Sequence, residues 1–155
     1  NILKKYIDQN PDADFFFGSI RKDNKIYAGF RPKDITLRFN IYPSCVISFF
    51  IKLESLKKLG LYNTKYKMSA DYDLIYRMIV KYNMKGVTTK GNEIFGSFGE
   101  VGVSKNYNFF QRMWAEMRIR YDNNQNPLII LFIFFGRCYK ELFKTFRIFY
   151  YHFFK

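Results

Sequence analysis

Apolar positions along the first 122 residues change between helical and strand-like spacing. Helical spacing predicts helices over residues 1–9, 53–59, 69–83 and 109–121. Short apolar runs between turn residues predict strands over residues 15–20, 25–30, 45–51 and 93–98. The run at 45–51 is continuous and predicts a buried central strand, and Pro32 and Asp34 predict a short helix to about residue 40. Helices and strands that alternate in this way are typical of an α/β domain.

Residues 127–155 follow a different pattern and are separated from the body by a polar linker at 123–126. The apolar run Leu128–Phe135 is too short to span a bilayer. From Arg137 onward, the polar residues fall within an arc of about 140° at helical spacing, and only Glu141 among them is acidic. The pattern predicts a basic amphipathic helix that lies in the membrane interface. Packing of its apolar face on the body or on another subunit is the alternative.

The charge of the chain favours acidic partners. Lys and Arg number 26 against 13 Asp and Glu, which gives a net charge of +13. Sugar-nucleotide phosphates, lipid pyrophosphates, anionic membranes and nucleic acids are the candidates. A nucleic-acid-binding module would interleave exposed cations with aromatics on one surface. Most aromatics here occupy strand-like or apolar-face positions, so no nucleic acid partner is expected.

Few residues of this chain suit a metal or disulfide site. Cys45 and Cys138 lie far apart in apolar runs, which favours buried or lipid-facing thiols over a disulfide. The single His152 excludes a His-rich metal site. Asp12 and Asp14 are spaced like a metal-binding Asp-x-Asp motif, but such a motif comes at the end of an apolar strand. Here the apolar run follows the two acids, so we do not expect them to bind a metal.

Candidate chemistry is concentrated in the run from Ser69 to Arg77. Ser69 is a favourable N-cap, so Asp71 and Asp73 fall in the first helical turn, where the macrodipole favours negative charge. Asp73 and Arg77 are four residues apart and are predicted to form a structural pair. The residue four positions after Asp71 is Ile75, which cannot form an ion pair. A carboxylate at a helix start with an apolar residue at this spacing can point into a cleft and accept a proton. Dipole complementation or capping is the alternative role for Asp71.

This run resembles the acidic motif in the C-terminal half of family 2 glycosyltransferases, which have the GT-A fold. Residues 11–19 are similar to a helix exit and strand midway through those enzymes, and residues 50–63 resemble their strand–helix–GxYd segment. Residues 98–104 resemble their F..GG.S turn, with Val101 where a Gly is usual. The resemblance covers roughly residues 1–120. It implies an acceptor-side half of a GT-A domain over residues 1–122.

The resemblance implies an inverting transfer of a sugar from a nucleotide-sugar donor to a glycan or lipid-linked acceptor. Asp71 would be the catalytic base, and Tyr72, Gly102 and Ser104 would bind substrate. Mg²⁺ or Mn²⁺ would be bound mainly by residues upstream of this chain, which begins inside a predicted helix without Met. We therefore expect a fragment that is inactive alone, from a protein located peripherally at the cytoplasmic face of the membrane. A non-enzymatic membrane-interaction domain and a nucleic-acid-binding module are the alternatives.

Overall fold

The computed structural model describes residues 2–22, 25–28, 46–67, 69–97 and 107–153. Within these residues the chain is a mixed α/β protein with two small sheets and five α-helices. The helices are α1 Ile2–Gln9, α2 Leu53–Leu59, α3 Ala70–Tyr76, α4 Phe109–Asp122 and α5 Pro127–Phe153. The strands are β1 Phe15–Phe17, β2 Ser19–Lys22, β3 Lys25–Tyr27, β4 Phe49–Ile51, β5 Gly86–Thr88 and β6 Ile94–Ser97. A 3₁₀ turn at Val46–Ser48 precedes β4, and a π-helical segment at Arg77–Lys81 extends α3.

The first sheet has the order β4-β1-β5, with β1 antiparallel to β4 and parallel to β5. The predicted strand over 45–51 is confirmed at Phe49–Ile51, but its predicted central position is wrong, because residues 46–48 form the 3₁₀ turn and β4 pairs, among the described residues, with β1 alone. All three residues of β1 are buried, whereas those of β4 are half-buried. The central position therefore belongs to the Phe15–Phe17 run, whose aromatic side chains fill both faces of the sheet.

The second sheet has the order β3-β2-β6, and Gly18 separates it from the first. The predicted single strand over 15–20 is thus divided into β1 and β2. The Gly18 N–H donates to the Ser48 carbonyl at 2.8 Å. A Cβ atom at Gly18 would overlap the ring of Phe95 in β6. Glycine is needed here because the two sheets approach each other closely at this point.

The core lies on both sides of β1. Phe15 and Phe17 face α3 and α4, while Phe16 faces α1, as the two-residue period of a strand requires. The larger cluster also contains Leu59, Tyr66, Tyr72, Leu74, Ile75, Tyr76, Met78, Met84 and Ile119. The smaller cluster joins Phe16 to Tyr6 and Ala13. The first sheet is therefore covered by α1 on one face and by α3 and α4 on the other.

Helix termini follow the sequence with one exception. Gly60 ends α2 in the left-handed conformation at φ 81°, and its N–H donates to the Leu56 and Lys57 carbonyls. Asn108 and Gln111 begin α4 with a reciprocal capping box. The expected side-chain cap at Ser69 is wrong, since the hydroxyl makes no cap hydrogen bond with the described residues.

Residues 123–126 form the turn between α4 and α5, with Asn124 in the left-handed conformation at φ 61°. The predicted helix after this linker is confirmed as α5, which packs on α4 through Met113 and Ile133. Across the described residues, no helix combines the length and apolar character needed to cross a membrane. The predictions for the helix at 32–40, for Cys45 and for Gly102 and Ser104 lie outside the described residues.

Candidate functional site

Asp71 lies in the first turn of α3 and is half-buried. Its Oδ1 accepts the backbone N–H of Tyr72 at 2.8 Å. The loop between α2 and α3 brings Tyr62 close to this carboxylate. Burial raises the pKa of the Tyr62 phenol, and the negative charge of Asp71 raises that pKa further. Asp71 is therefore close enough to Tyr62 for its charge to act on the phenol.

A second carboxyl group, that of Glu116 in α4, lies near Asp71. Glu116 is half-buried, and its Oε2 is shielded from solvent with no hydrogen-bond partner among the described residues. Burial raises the pKa of Glu116 to about 8, and the charge of Asp71 adds to the increase. Three positive charges lower the pKa of Glu116 in part, namely those of Arg137, Arg120 and Arg112. At pH 7 the Glu116 carboxyl is therefore mostly protonated.

Arg120 connects α4 to α3 through two aromatic rings. Its side chain is fully buried, and its Cζ lies 5.8 Å from the Tyr72 ring centroid and 5.4 Å from that of Tyr76. The Arg120 Nη1 donates to Gln125 Oε1 at 2.8 Å. Burial raises the pKa of Tyr72 above its ordinary value, and its ring is buried in the core. The role of Tyr72 in substrate binding stays a prediction.

The predicted pair of Asp73 and Arg77 forms within the extended α3. Arg77 Nε donates to Asp73 Oδ2 at 2.8 Å, and Asn123 Nδ2 donates to Asp73 Oδ1 at 3.1 Å. The Arg77 guanidinium also donates to the carbonyls of Leu59 and Leu61. The pair thus fixes α3 against the end of α2 and the end of α4. It holds the first turn of α3, and with it Asp71, in place.

Asp12 and Asp14 both have structural contacts. Asp14 accepts the Ser55 hydroxyl at 2.7 Å and the Lys85 backbone N–H at 2.8 Å. Asp12 pairs with the Lys85 ammonium. These contacts join the start of β1 to α2 and to the residues before β5. Within the described ranges, no three His, Cys, Asp or Glu side chains form a group that could hold a metal ion.

Sequence reasoning alone missed Glu116 and its arginines. A signal for part of this group was present, because Arg112, Glu116 and Arg120 are spaced four residues apart on one face of α4. Arg137 belongs to α5, and only the packing of α5 on α4 brings it near. The proximity of Asp71 likewise depends on how α3 packs against α4.

Comparisons with protein-family models, with curated proteins and with solved structures gave no match for this chain. Function is therefore inferred from the chemistry of the site. Burial and the charge of Asp71 together raise the pKa of the neighbouring Glu116 to about 8. Two nearby carboxyl groups in different environments are a common arrangement for acid–base chemistry.

Proposed function

We propose that this chain is the acceptor-side half of a GT-A glycosyltransferase, with Asp71 as the catalytic base of an inverting transfer. Asp71 would remove the proton of an acceptor hydroxyl while the hydroxyl oxygen forms a bond to the anomeric carbon of the donor. The bond from that carbon to the nucleoside diphosphate breaks, and the configuration inverts. The resemblance of residues 70–77 and of the segments around them to family 2 enzymes supports this assignment.

The observation that carries the proposal is the position of Asp71 in the first turn of α3, where its charge acts on the solvent-shielded Glu116 carboxyl of α4. A base must keep its negative charge until it takes the substrate proton. A second ionised carboxylate beside it would add a like charge to the site. Because Glu116 is neutral at pH 7, Asp71 is spared that like-charge neighbour.

Arginine side chains around the two carboxyl groups fit an anionic substrate. Arg112, Arg120 and Arg137 all act electrostatically on Glu116, and because Arg120 is fully buried, Arg112 and Arg137 are the two that a substrate could reach. Guanidinium groups suit phosphate oxygens because their N–H groups match them in geometry as well as in charge. The positive potential that they create would favour a nucleotide-sugar diphosphate over a neutral sugar.

The donor-binding half belongs to the proposal but not to this chain. A divalent cation, Mg²⁺ or Mn²⁺, would neutralise the diphosphate leaving group when bound. Asp12 and Asp14 are occupied by Lys85 and Ser55, so residues upstream of this chain would bind most of that ion. The acceptor would be a glycan or a lipid-linked sugar.

The test uses the full-length protein that contains this chain, supplied with UDP- and GDP-sugars and with glycan or polyprenyl-phosphate acceptors. Release of the nucleoside diphosphate is measured. Asp71→Asn keeps the shape and removes the basicity, and we expect kcat to fall about 10²–10⁴-fold with little change in the donor KM. The matched control is Asp8→Asn, at an exposed acid on α1, which should keep normal turnover.

Two results would contradict the proposal. Near-normal turnover by a folded Asp71→Asn variant would remove Asp71 from catalysis. Absence of nucleoside diphosphate release by the wild-type protein with every donor and acceptor would exclude glycosyl transfer itself.

A further inference from the structure

An aromatic stripe runs along α5 on the side that faces away from α4. Six exposed aromatic residues fall within an arc of about 80° and cover about 27 Å of the helix. Their exposure reaches 76% at Phe146. The residues of this α5 stripe are Phe132, Phe135, Tyr139, Phe143, Phe146 and Tyr150.

Helix α4 exposes a second stripe of the same character. Phe110, Trp114 and Tyr121 share one helical face and are each about two-thirds exposed. Trp114 and Tyr121 also line an open, largely apolar groove of about 520 Å³, whose opposite wall is Ile130 and Leu131 of α5. Leu131 is half exposed and lies between this groove and the α5 stripe, and we call the two stripes together with the groove the α4–α5 surface.

This surface is separate from the candidate catalytic site. Glu116 follows Trp114 by two positions, which places the two side chains about 200° apart around α4. The side of α4 that carries Glu116 and Arg120 faces α3, whereas the side that carries Trp114 is exposed. Soluble monomers rarely expose continuous apolar patches of this extent.

We propose that the α4–α5 surface docks on an anionic membrane, with α5 lying flat in the interface. The cations of α5 support this choice of partner. Lys140, Lys144 and Arg147 are exposed beyond the edge of the stripe, and Glu141 is the single acid in the helix. Long basic side chains at such positions can reach headgroup phosphates while the aromatic rings enter the acyl boundary.

An anionic bilayer fits this surface better than a second copy of the chain does. Each copy carries a net charge of +13, so self-association would bring two strongly basic molecules together. An anionic lipid surface neutralises that charge instead. Tyr, which occurs in both stripes, and Trp, which occurs in the α4 stripe, suit an interface because each ring joins an apolar body to a polar group. This proposal does not depend on glycosyl transfer.

The experiment measures binding of the chain to vesicles of phosphatidylcholine with increasing phosphatidylglycerol. Trp114 is the only Trp, so its fluorescence reports directly on the α4–α5 surface. We expect flotation with anionic vesicles, a blue shift of Trp114 emission, and loss of both as salt screens the charges. Phe146→Ser should weaken vesicle binding about 10-fold or more through lost apolar burial.

The matched control is Leu53→Ser, which removes an exposed apolar side chain at the start of α2 and should leave binding unchanged. A lack of flotation or of any Trp114 shift with every vesicle would overturn the proposal. Equal binding to neutral vesicles, insensitive to salt, would overturn the choice of an anionic membrane. A stable dimer that Phe146→Ser dissociates in analytical ultracentrifugation would show that a second copy covers the surface.

Discussion

Substitution of Asp73 by Asn tests whether the ion pair inside α3 holds the site together. The Asp73 side chain is 1% exposed and that of Arg77 is 12% exposed. Asn keeps the shape and can still accept one hydrogen bond, but it leaves the Arg77 charge without its carboxylate. Breaking a buried pair from one side costs about 3–5 kcal/mol. The Leu59 and Leu61 carbonyls would still accept hydrogen bonds from Arg77 in the variant, so we expect the lower value, about 3 kcal/mol.

The assay is urea unfolding followed by far-ultraviolet circular dichroism, with thermal unfolding as a second measurement. A loss of about 3 kcal/mol in a chain of this size lowers the Tm by about 6–12 °C. Arg77→Met and the double variant complete a double-mutant cycle, and we expect a coupling of about 2 kcal/mol. The control cycle uses Asp12 and Lys85, whose side chains are 65% and 55% exposed, and should give no measurable coupling because solvent screens the pair.

If Asp73→Asn lowered the free energy of unfolding by less than about 1 kcal/mol, the reasoning would be refuted, because a buried charge without a partner destabilises a protein by more than that. Strict additivity in the Asp73 and Arg77 cycle would also refute it, since the contact would then contribute nothing. If the coupling in the control cycle were as large as in the Asp73 and Arg77 cycle, burial of the pair would not be the cause of the coupling.

Two further predictions concern Glu116 and the glycines. An unfolded Glu has a pKa of about 4.3, while that of folded Glu116 is about 8, so the folded state binds its proton more tightly. The free energy of unfolding should therefore fall as pH rises from about 4.3 through about 8, and Glu116→Gln should remove this decline. If the free energy of unfolding changed equally with pH in the wild-type protein and in Glu116→Gln across that range, the prediction for Glu116 would be contradicted. Gly86→Ala places a Cβ atom in the Phe15 ring and should cost about 1–3 kcal/mol. If Gly86→Ala left the free energy of unfolding unchanged, the close packing of β5 on Phe15 would be contradicted. Among the described residues, the Cβ atom of Gly136→Ala in α5 would meet no atom within 4 Å beyond its chain neighbours and its own helix backbone, so this variant should stabilise the protein by about 0.5–1 kcal/mol.

Features that depend on neighbours within one helical turn could be predicted from local spacing. Helix α2 with its Gly60 end, helix α4, helix α5 and the pairing of Asp73 with Arg77 all follow from local spacing. Residues three or four apart are adjacent on any α-helix, whatever packs around it. The placement of Asp71 in the first turn of α3 was predictable for the same reason.

Which elements meet depends on how the helices and sheets pack in three dimensions. The break at Gly18 comes from the approach of Phe95, and the central place of β1 comes from its pairing with both β4 and β5. The raised pKa of Glu116 requires α3, α4 and α5 to come together around one carboxyl group. Desolvation and charge proximity act through space between residues distant in sequence, so local periodicity carries no information about them.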